Sequence, residues 1–214
     1  MYFPIDLSES ALENCRESLG DVACVDPVPG SFLDGLARVR RSHGNPMLVL
    51  FVGSSIGNFD PEEAGSFLES VQGLLGPDDR MLLGVDLVKD AKRTLDAYDD
   101  PSGVTAAFNK NLLARINREL GGDFDLRSFQ HEARYREDPP RIEMHLRALR
   151  ACAVRVEVAG VTCRFEAGET ILTEKSHKYT LPMLDSLVEG AGLRVEARWV
   201  DEEWPFAEVF LKTG

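Results

Sequence analysis

One short corner of the chain, residues 47–63, constrains its fold more than any other segment. The apolar run Met47–Val52 leads into the glycine-containing stretch Gly53-Ser-Ser-Ile-Gly-Asn-Phe-Asp60. The apolar run predicts a buried parallel strand. Asp60 is placed to cap a helix that has Pro61 as its first residue and Glu63 as its capping-box partner. A strand-loop-helix corner of this kind lies at the carboxyl edge of an α/β sheet, where ligands bind.

Length and composition narrow the class of protein. The 214 residues suit one domain, or one domain with a sizeable insertion, and no apolar run approaches the roughly 20 residues of a membrane helix. The 36 acidic residues outnumber the 24 basic ones, and a formal charge of −12 argues against a nucleic-acid partner. The four cysteines and four histidines show no metal-ligand spacing. The widely separated cysteines predict reduced thiols in a cytoplasmic protein.

Hydrophobic periodicity divides the chain into three parts. Residues 1–100 alternate between predicted strands and helices, which predicts a parallel sheet with right-handed crossovers. Residues 101–178 begin with a helix marked by an apolar stripe, which includes Phe108 and Leu112. This part continues with a one-sided strand over 141–148 and a hairpin around Gly160, and it is predicted to be an inserted substrate-binding region. Residues 179–214 are predicted to form a helix and two antiparallel strands that complete the core sheet.

Five segments, in order, resemble the S-adenosylmethionine-dependent methyltransferases that trimethylate the α-amine of histidine, the first step of ergothioneine biosynthesis. The segments are Gly53 to Phe59, Leu83 to Asp90, Leu95 to Asn109, Arg141 to Leu146 and Thr173 to Tyr179. The resemblance implies an α/β fold: a Rossmann-like class I methyltransferase sheet with an inserted α+β substrate-binding region. It also implies S-adenosyl-L-methionine as cofactor and L-histidine as substrate.

Six residues match the substrate site of that family. They are Gly53, Asn58, Tyr98, Met144, Glu174 and Ser176. The resemblance implies that Gly53 and Asn58 hold the substrate amine beside the methyl donor, and it gives Asn58 the catalytic, amine-orienting role. A carbonyl oxygen accepts a hydrogen bond from an amine and leaves the lone pair free to attack. Tyr98 is implied to bind the substrate carboxylate.

Glu174 and Ser176 are implied to recognise the imidazole, with Met144 packing near the ring. Residues two apart on a strand face the same side, so these two side chains can converge on one ring. The residues alone leave other roles open: Asn58 suits a helix-entry turn, Met144 a core position, and Glu174 with Ser176 the polar face of an edge strand.

Three residues match cofactor contacts. Asp6 is implied to hold the ribose hydroxyls, and Ser31 and Phe32 stand where the family places Asp-Phe against the adenine. Ser31 in place of aspartate implies a weaker contact with the adenine amine. The family's first strand and glycine-rich loop would precede Tyr2, and neither is recognisable in this chain. The resemblance therefore implies a sheet with its first βα unit missing, and it leaves a role for a partner chain that supplies the missing N-terminal half.

The implied reaction is in-line displacement at a sulfonium methyl group by a neutral amine. Catalysis of such a step rests on positioning and desolvation, and it needs no nucleophilic side chain. Two alternatives remain open. One is a related methyltransferase that acts on another amino acid or amine. The other is a catalytically inactive remnant or subunit that requires a partner chain.

Overall fold

A computed structural model describes residues 1–214, which form eleven β-strands and six α-helices. The strands are, in chain order, β1 (Ile5–Asp6), β2 (Val28–Pro29), β3 (Leu48–Phe51), β4 (Arg80–Asp86), β5 (Phe129–Glu137), β6 (Pro140–Ala148), β7 (Cys152–Val156), β8 (Val161–Phe165), β9 (Thr170–His177), β10 (Leu193–Asp201) and β11 (Phe206–Thr213). The α-helices are α1 (Glu9–Leu19), α2 (Phe32–Ser42), α3 (Pro61–Gln72), α4 (Ala91–Tyr98), α5 (Val104–Leu120) and α6 (Leu181–Gly190). None of these helices has the length and apolar character needed to cross a membrane.

The central sheet has four strands in the order β10-β11-β4-β3. β3 and β4 are parallel, whereas β11 is antiparallel to both β4 and β10. One face of this sheet packs against α3 and α6 in a cluster of 19 buried residues, in which Leu83, Leu184 and Val209 are fully buried. The predicted strand-helix-strand order and the closing antiparallel pair are both present.

The other face of the sheet is open at β3. Leu48 and Leu50 are 56% and 44% exposed, and Val52, just after the strand, is 45% exposed. The prediction of a fully buried strand is therefore wrong, although the strand is parallel to its neighbour as predicted. The physical reason is that β3 is the edge strand of this sheet and only its Val49 side packs into the core. Leu48, Leu50 and Val52 are called the open face below.

A gap separates the central sheet from a second, two-stranded sheet. β1 and β2 pair with each other in parallel and with no other strand. Between β1 and β3 lies a cavity of about 400 Å³. Its lining is mainly apolar and comes from the segments 1–5 and 45–50 and from the inner side of α2, including Phe32 and Leu36. We call this cavity the interstrand slot.

The region 101–178 contains two further antiparallel sheets, with the orders β5-β6-β9 and β7-β8. The predicted hairpin around Gly160 is the β7-β8 pair. A separate cluster of seven buried residues supports this region, among them Leu113, Phe129 and Val154. The apolar interior of the chain is thus divided into two clusters.

Most of the predicted apolar stripe of α5 does not face the interior, although its member Ile116 packs against the second cluster. Phe108 is 67% exposed and Leu112 is 41% exposed, whereas Asn109 and Leu113 are buried. The buried side of the helix is rotated by one residue because the Asn109 amide bonds to His131 Nδ1 at 2.9 Å and to the carbonyl oxygen of His145 at 3.2 Å. A polar contact therefore sets the orientation of α5.

β6 is also not one-sided, since Glu143 and His145 on its predicted exposed face are buried. Glu143 bonds to Arg136 at 3.0 Å, to Arg141 at 2.6 Å and to His145 at 3.2 Å. Burial on its own raises the pKa of Glu143, but the hydrogen bonds from Arg136, Arg141 and His145 together lower it to about 2. Ion pairing therefore makes a buried polar face possible on the middle strand of this sheet.

The inserted region meets the central sheet just after β9. The Tyr179 N–H donates to the Asp86 carbonyl at 3.0 Å, and the Val88 N–H donates to the Tyr179 carbonyl at 2.9 Å. This short parallel pairing holds the end of β9 beside the carboxyl end of β4. Polar side chains from both regions consequently meet at the edge of the sheet where α/β proteins bind ligands.

Candidate functional site

A second cavity, of about 360 Å³, lies at this junction, and nine residues line it. The lining residues are Gly53, Ser54, Ser55, Asn58, Asp86, Tyr98, Glu174, Ser176 and Phe206. Five of the six residues that the sequence assigns to the substrate are in this set, and they come from three separate parts of the chain. Met144 is not in the lining. We call this cavity the junction cavity.

The corner after β3 supplies one wall of the junction cavity. Gly53 and Ser54 both have left-handed backbone angles, with φ of 76° and 60°, and the chain then forms a 3-10 helix over Ser55–Asn58. The Asp86 N–H donates to Ser54 Oγ at 2.9 Å, which fixes the corner to β4. A Cβ atom at Gly57 would lie 2.7 Å from the His177 carbonyl oxygen, so only glycine permits this approach to β9.

Asp60 begins α3 and also anchors β9. Its N–H donates to Glu63 Oε2 at 2.9 Å and Pro61 is the first helical residue, so the predicted capping box is confirmed. The Asp60 carboxylate accepts from Lys175 Nζ at 2.6 Å and bonds to His177 Nε2 at 3.3 Å. The hydrogen bond from Lys175 is the main cause of a lowered pKa at Asp60. The two opposing walls of the junction cavity are therefore tied together.

β9 supplies the opposite wall. Glu174 and Ser176 lie on the same face of the strand, and Met144 is opposite Glu174 in the β6-β9 ladder. Directly opposed residues of an antiparallel pair share a face, so Met144, which is 3% exposed, lies beside Glu174 on the face that forms this wall. Burial raises the pKa of Glu174 above its ordinary value, and the positive charge of Lys178 partly opposes that shift.

Two charged residues that were not assigned from the sequence complete the site. Lys178 is 1% exposed, and its Nζ lies 2.8 Å from Tyr98 Oη, 2.8 Å from Ser176 Oγ and 2.7 Å from Asp86 Oδ2. Tyr98 Oη and Ser176 Oγ are also 2.8 Å apart. One sequence feature could have placed Lys178 in the site: it follows Glu174 and Ser176 in the same alternation of every second residue. The position of Asp86 at the end of a buried strand was the signal for the aspartate.

The three residues assigned to the cofactor lie outside the junction cavity. Asp6 is exposed at the carboxyl end of β1, where an acid can accept from a ribose diol, and its Oδ1 accepts from the Ser8 N–H at 2.8 Å. Ser31 caps α2, donating its hydroxyl proton to Asp34 Oδ2 at 2.7 Å, and this bond occupies the hydroxyl. Phe32 packs edge-on against Phe51 with ring centroids 4.9 Å apart. Asp6 suits the cofactor role better than Ser31 does.

Replacing Glu174 by glutamine is expected to stabilise the fold at neutral pH. A carboxyl group whose pKa is higher in the folded state than in the unfolded state, where it is 4.5, stabilises the fold when the pH is below the unfolded-state pKa. This stabilisation is lost as the pH rises through the folded-state pKa. Thermal unfolding should therefore give Glu174→Gln a higher Tm than the parent at about pH 7, with a difference that shrinks below about pH 4. The control is Glu119→Gln, because the Arg115 hydrogen bond lowers the pKa of Glu119 and no gain is expected there. A Tm for Glu174→Gln below that of the parent at neutral pH would contradict the role of burial.

Comparison with solved structures defines the class of fold. An S-adenosylmethionine-dependent methyltransferase from Clostridium acetobutylicum has a TM-score of 0.50 at 13% identity, and the match covers 99% of this chain and 74% of that one. The CcbJ methyltransferase from Streptomyces caelestis has a TM-score of 0.51 at 14% identity, over 99% of this chain and 79% of that one. The predicted Rossmann-like class I methyltransferase fold is confirmed.

Residues 1–213 match the family described as histidine-specific methyltransferase, SAM-dependent, and the chain belongs to that family. It is 46% identical over 182 residues to a histidine N-alpha-methyltransferase of Mycobacterium tuberculosis, covering 85% of this chain and 56% of the relative. It is 41% identical over 208 residues to the enzyme of the same name in Mycolicibacterium smegmatis, covering 96% and 64%. The predicted family is confirmed. The chain spans about 60% of the length of these two relatives.

Proposed function

We propose that this chain carries the substrate-binding part of an S-adenosyl-L-methionine-dependent methyltransferase that methylates the α-amine of L-histidine to trimethylhistidine, in ergothioneine biosynthesis. The observation that carries the proposal is the convergence of Gly53, Asn58, Tyr98, Glu174 and Ser176 on one cavity of about 360 Å³. Two relatives named ergothioneine biosynthesis protein 1 add support. The one from Schizosaccharomyces pombe is 28% identical over 92% of this chain and 26% of its own length.

The geometry suits a substrate with an amine, a carboxylate and a polar ring. Asn58 and the Gly53 carbonyl, on the corner, accept from the amine and leave its lone pair directed at the methyl donor. Tyr98 donates to the carboxylate from the end of α4. Glu174 and Ser176 on β9 meet the ring nitrogens, and the buried Met144 supports this wall from the adjacent strand. The chain's contribution to the reaction is thus to orient the amine and to exclude water from it.

Competition between amino acids tests the substrate assignment. Equimolar histidine, leucine and phenylalanine are incubated with S-adenosylmethionine and the chain completed by the polypeptide that fills the interstrand slot, and each methylated product is measured by mass spectrometry. Histidine should be preferred by about a hundredfold or more, because an apolar side chain leaves the polar groups of the ring site without partners. Equal methylation of leucine or phenylalanine would contradict the assignment. One relative is named L-tryptophan methyltransferase, so tryptophan belongs in the same mixture.

We further propose that S-adenosyl-L-methionine is the cofactor of this chain, with Asp6 at its ribose and Phe32 and Ser31 beside its adenine. The cofactor supplies an electrophilic methyl group on a positively charged sulfur. The exposed carboxylate of Asp6 at a strand end supports the ribose contact, and the family is SAM-dependent. A cytoplasmic location is part of the proposal, and four free cysteines support it.

We also propose that the interstrand slot receives one further strand from polypeptide outside residues 1–214. The slot lies between the edges of two parallel strand pairs, its lining is mainly apolar, and the open face of β3 beside it is exposed. An unpaired edge next to exposed leucines favours association with another chain. A partner chain that supplies the N-terminal half of the fold is the occupant we propose, and such a segment would also complete the cofactor site.

Leu50→Lys is expected to reduce self-association of the isolated chain. A charge on the open face makes pairing along β3 unfavourable, and lysine is a common protection of sheet edges. Leu112→Lys is the matched control, since Leu112 is 41% exposed against 44% for Leu50 but lies on α5. Sedimentation velocity should show fewer oligomers for Leu50→Lys and no change for Leu112→Lys. A parent chain that is monomeric, or an equal effect of both changes, would remove the support for an unfilled slot.

A further inference from the structure

Lys178 is the most completely buried charged side chain beside the junction cavity, and it does not line that cavity. It lies behind Tyr98 and Ser176, and its ammonium group uses all three of its protons. Two protons go to Tyr98 Oη and Ser176 Oγ, each at 2.8 Å, and one goes to Asp86 Oδ2 at 2.7 Å. The hydrogen bonds of Lys178 can therefore influence a ligand only through Tyr98, Ser176 and Asp86, all three of which line the cavity.

The two hydroxyl oxygens share one constraint. Both accept a proton from Lys178, and they lie 2.8 Å from each other. Two oxygens at this distance repel unless a proton lies between them, so one hydroxyl must donate to the other. Only one hydroxyl proton then remains to point away from the lysine. Toward a ligand in the junction cavity, one hydroxyl can therefore donate a hydrogen bond and the other can only accept one.

We propose that Lys178 is a positioning residue that holds the two hydroxyl oxygens together, so that one must donate to the other, and that this pair thereby selects a ring N–H. The inference rests on the proposed function, in which Tyr98 donates to the substrate carboxylate. Ser176 then donates to Tyr98 and can only accept from the ring. A bound histidine must present a ring N–H to Ser176, and Glu174 on the same strand face meets the other ring nitrogen. A ring whose heteroatoms only accept is rejected, although its shape is the same.

Thiazolylalanine is the matched probe because its ring has the size of imidazole, with a nitrogen that accepts and no N–H. Two isomers place that nitrogen at one or the other of the positions of histidine's nitrogens. Calorimetric titration of the 214-residue chain with histidine and with both isomers gives an affinity ratio. The parent should prefer histidine. Lys178→Met should reduce this preference by about tenfold, because Ser176 is released from Tyr98 and can donate to the ring.

Two further variants separate positioning from general damage. Lys178→Gln keeps two N–H donors for Tyr98 and Ser176, so it should preserve the preference for histidine. Lys92→Met removes the same charge from the exposed side of α4, where Lys92 bonds to Asp96, and it should leave the ratio unchanged. In Lys178→Met, the Asp86 carboxylate still has Lys89 at 2.5 Å, so the change does not leave an isolated buried charge. An equal loss of affinity for all three ligands in Lys178→Met would mean a structural role only and would overturn the proposal.

A measurement without ligand tests the hydrogen bonds of Tyr98 directly. It keeps the proposal testable if a variant misfolds or if the chain binds no amino acid. The Raman Fermi doublet of tyrosine reports whether the phenol oxygen accepts or donates a hydrogen bond. The difference between the parent and Tyr98→Phe isolates Tyr98 from the other three tyrosines. We expect an accepting Tyr98 in the parent and in Lys178→Gln, and a loss of that signature in Lys178→Met. A Tyr98 signal in the parent without accepting character overturns the inference about Lys178. A chain that retains this signal but binds no histidine instead contradicts the proposed function, and the selection of a ring N–H is then overturned with it.

Discussion

Glu174→Ala is expected to lower kcat/KM for histidine by about thirtyfold or more, which corresponds to about 2 kcal/mol of transition-state binding. The half-buried carboxylate lines the junction cavity on the same strand face as Ser176. Its removal leaves the ring nitrogen that faces Glu174 without a partner in a partly desolvated site. Steady-state methyl transfer to histidine by the completed enzyme, at several substrate concentrations, measures the effect.

The control for this change is Glu119→Ala, which removes a glutamate from an exposed ion pair on α5. Exposed ion pairs of this kind contribute little, so its kinetics should match those of the parent. Methylation of leucine, if any is detectable, should not fall in Glu174→Ala, since leucine has no ring nitrogen. A loss of less than threefold with histidine would remove Glu174 from the ring site.

Asn58→Asp is expected to move the pH-rate profile to higher pH by about one unit. Asn58 is exposed at the end of the 3-10 helix and lines the junction cavity. A carboxylate at this position attracts the ammonium form of the substrate and stabilises its proton, so the free amine forms only at higher pH. Asn58→Ala should lower turnover and leave cofactor binding nearly unchanged. The measurement is kcat/KM across the pH range for the parent and both variants.

A turn-forming role for Asn58 predicts a different outcome, because aspartate forms helix-entry turns as well as asparagine does. Under that role, turnover and the pH profile of Asn58→Asp would both equal those of the parent. Asn111→Asp is the charge-matched control, since Asn111 is exposed on α5 and does not line the cavity. A shift in Asn111→Asp equal to that in Asn58→Asp would indicate a general charge effect instead of amine orientation.

Local sequence rules predicted the helices and strands of this chain better than they predicted which faces of those elements are buried. The start of α3 followed from Asp60, Pro61 and Glu63, because capping depends on residues a few positions apart. The exposure of Leu50 could not follow from the same segment. An apolar run specifies a strand, whereas the covering of its two faces depends on elements that are distant in sequence. The orientation of α5 was missed for a related reason, since the Asn109 contacts with His131 and His145 outweigh the apolar stripe.

The candidate site shows the same division. Glu174 and Ser176 share a face of β9 because the period of a strand places them there, which the sequence predicted. Their convergence with Asn58 and Tyr98 depends on the short pairing of Tyr179 with the end of β4. Lys178 was missed because the sequence shows a charged residue near a strand end, and such residues are ordinarily solvated. Only the three-dimensional arrangement shows that its ammonium group is enclosed by three oxygen atoms.

The division of the apolar interior into two clusters has a consequence for cooperativity. The junction cavity lies between the central sheet and the inserted sheets, with Asn58 on one side and Glu174 on the other, and none of its lining residues belongs to either cluster. Regions with separate interiors can open independently, and amide protection is then lower along their boundary. A ligand that contacts both sides makes opening of either region more costly. Substrate binding would thus join two folding units into one, and hydrogen exchange along β9 would slow on both sides of the bound amino acid together.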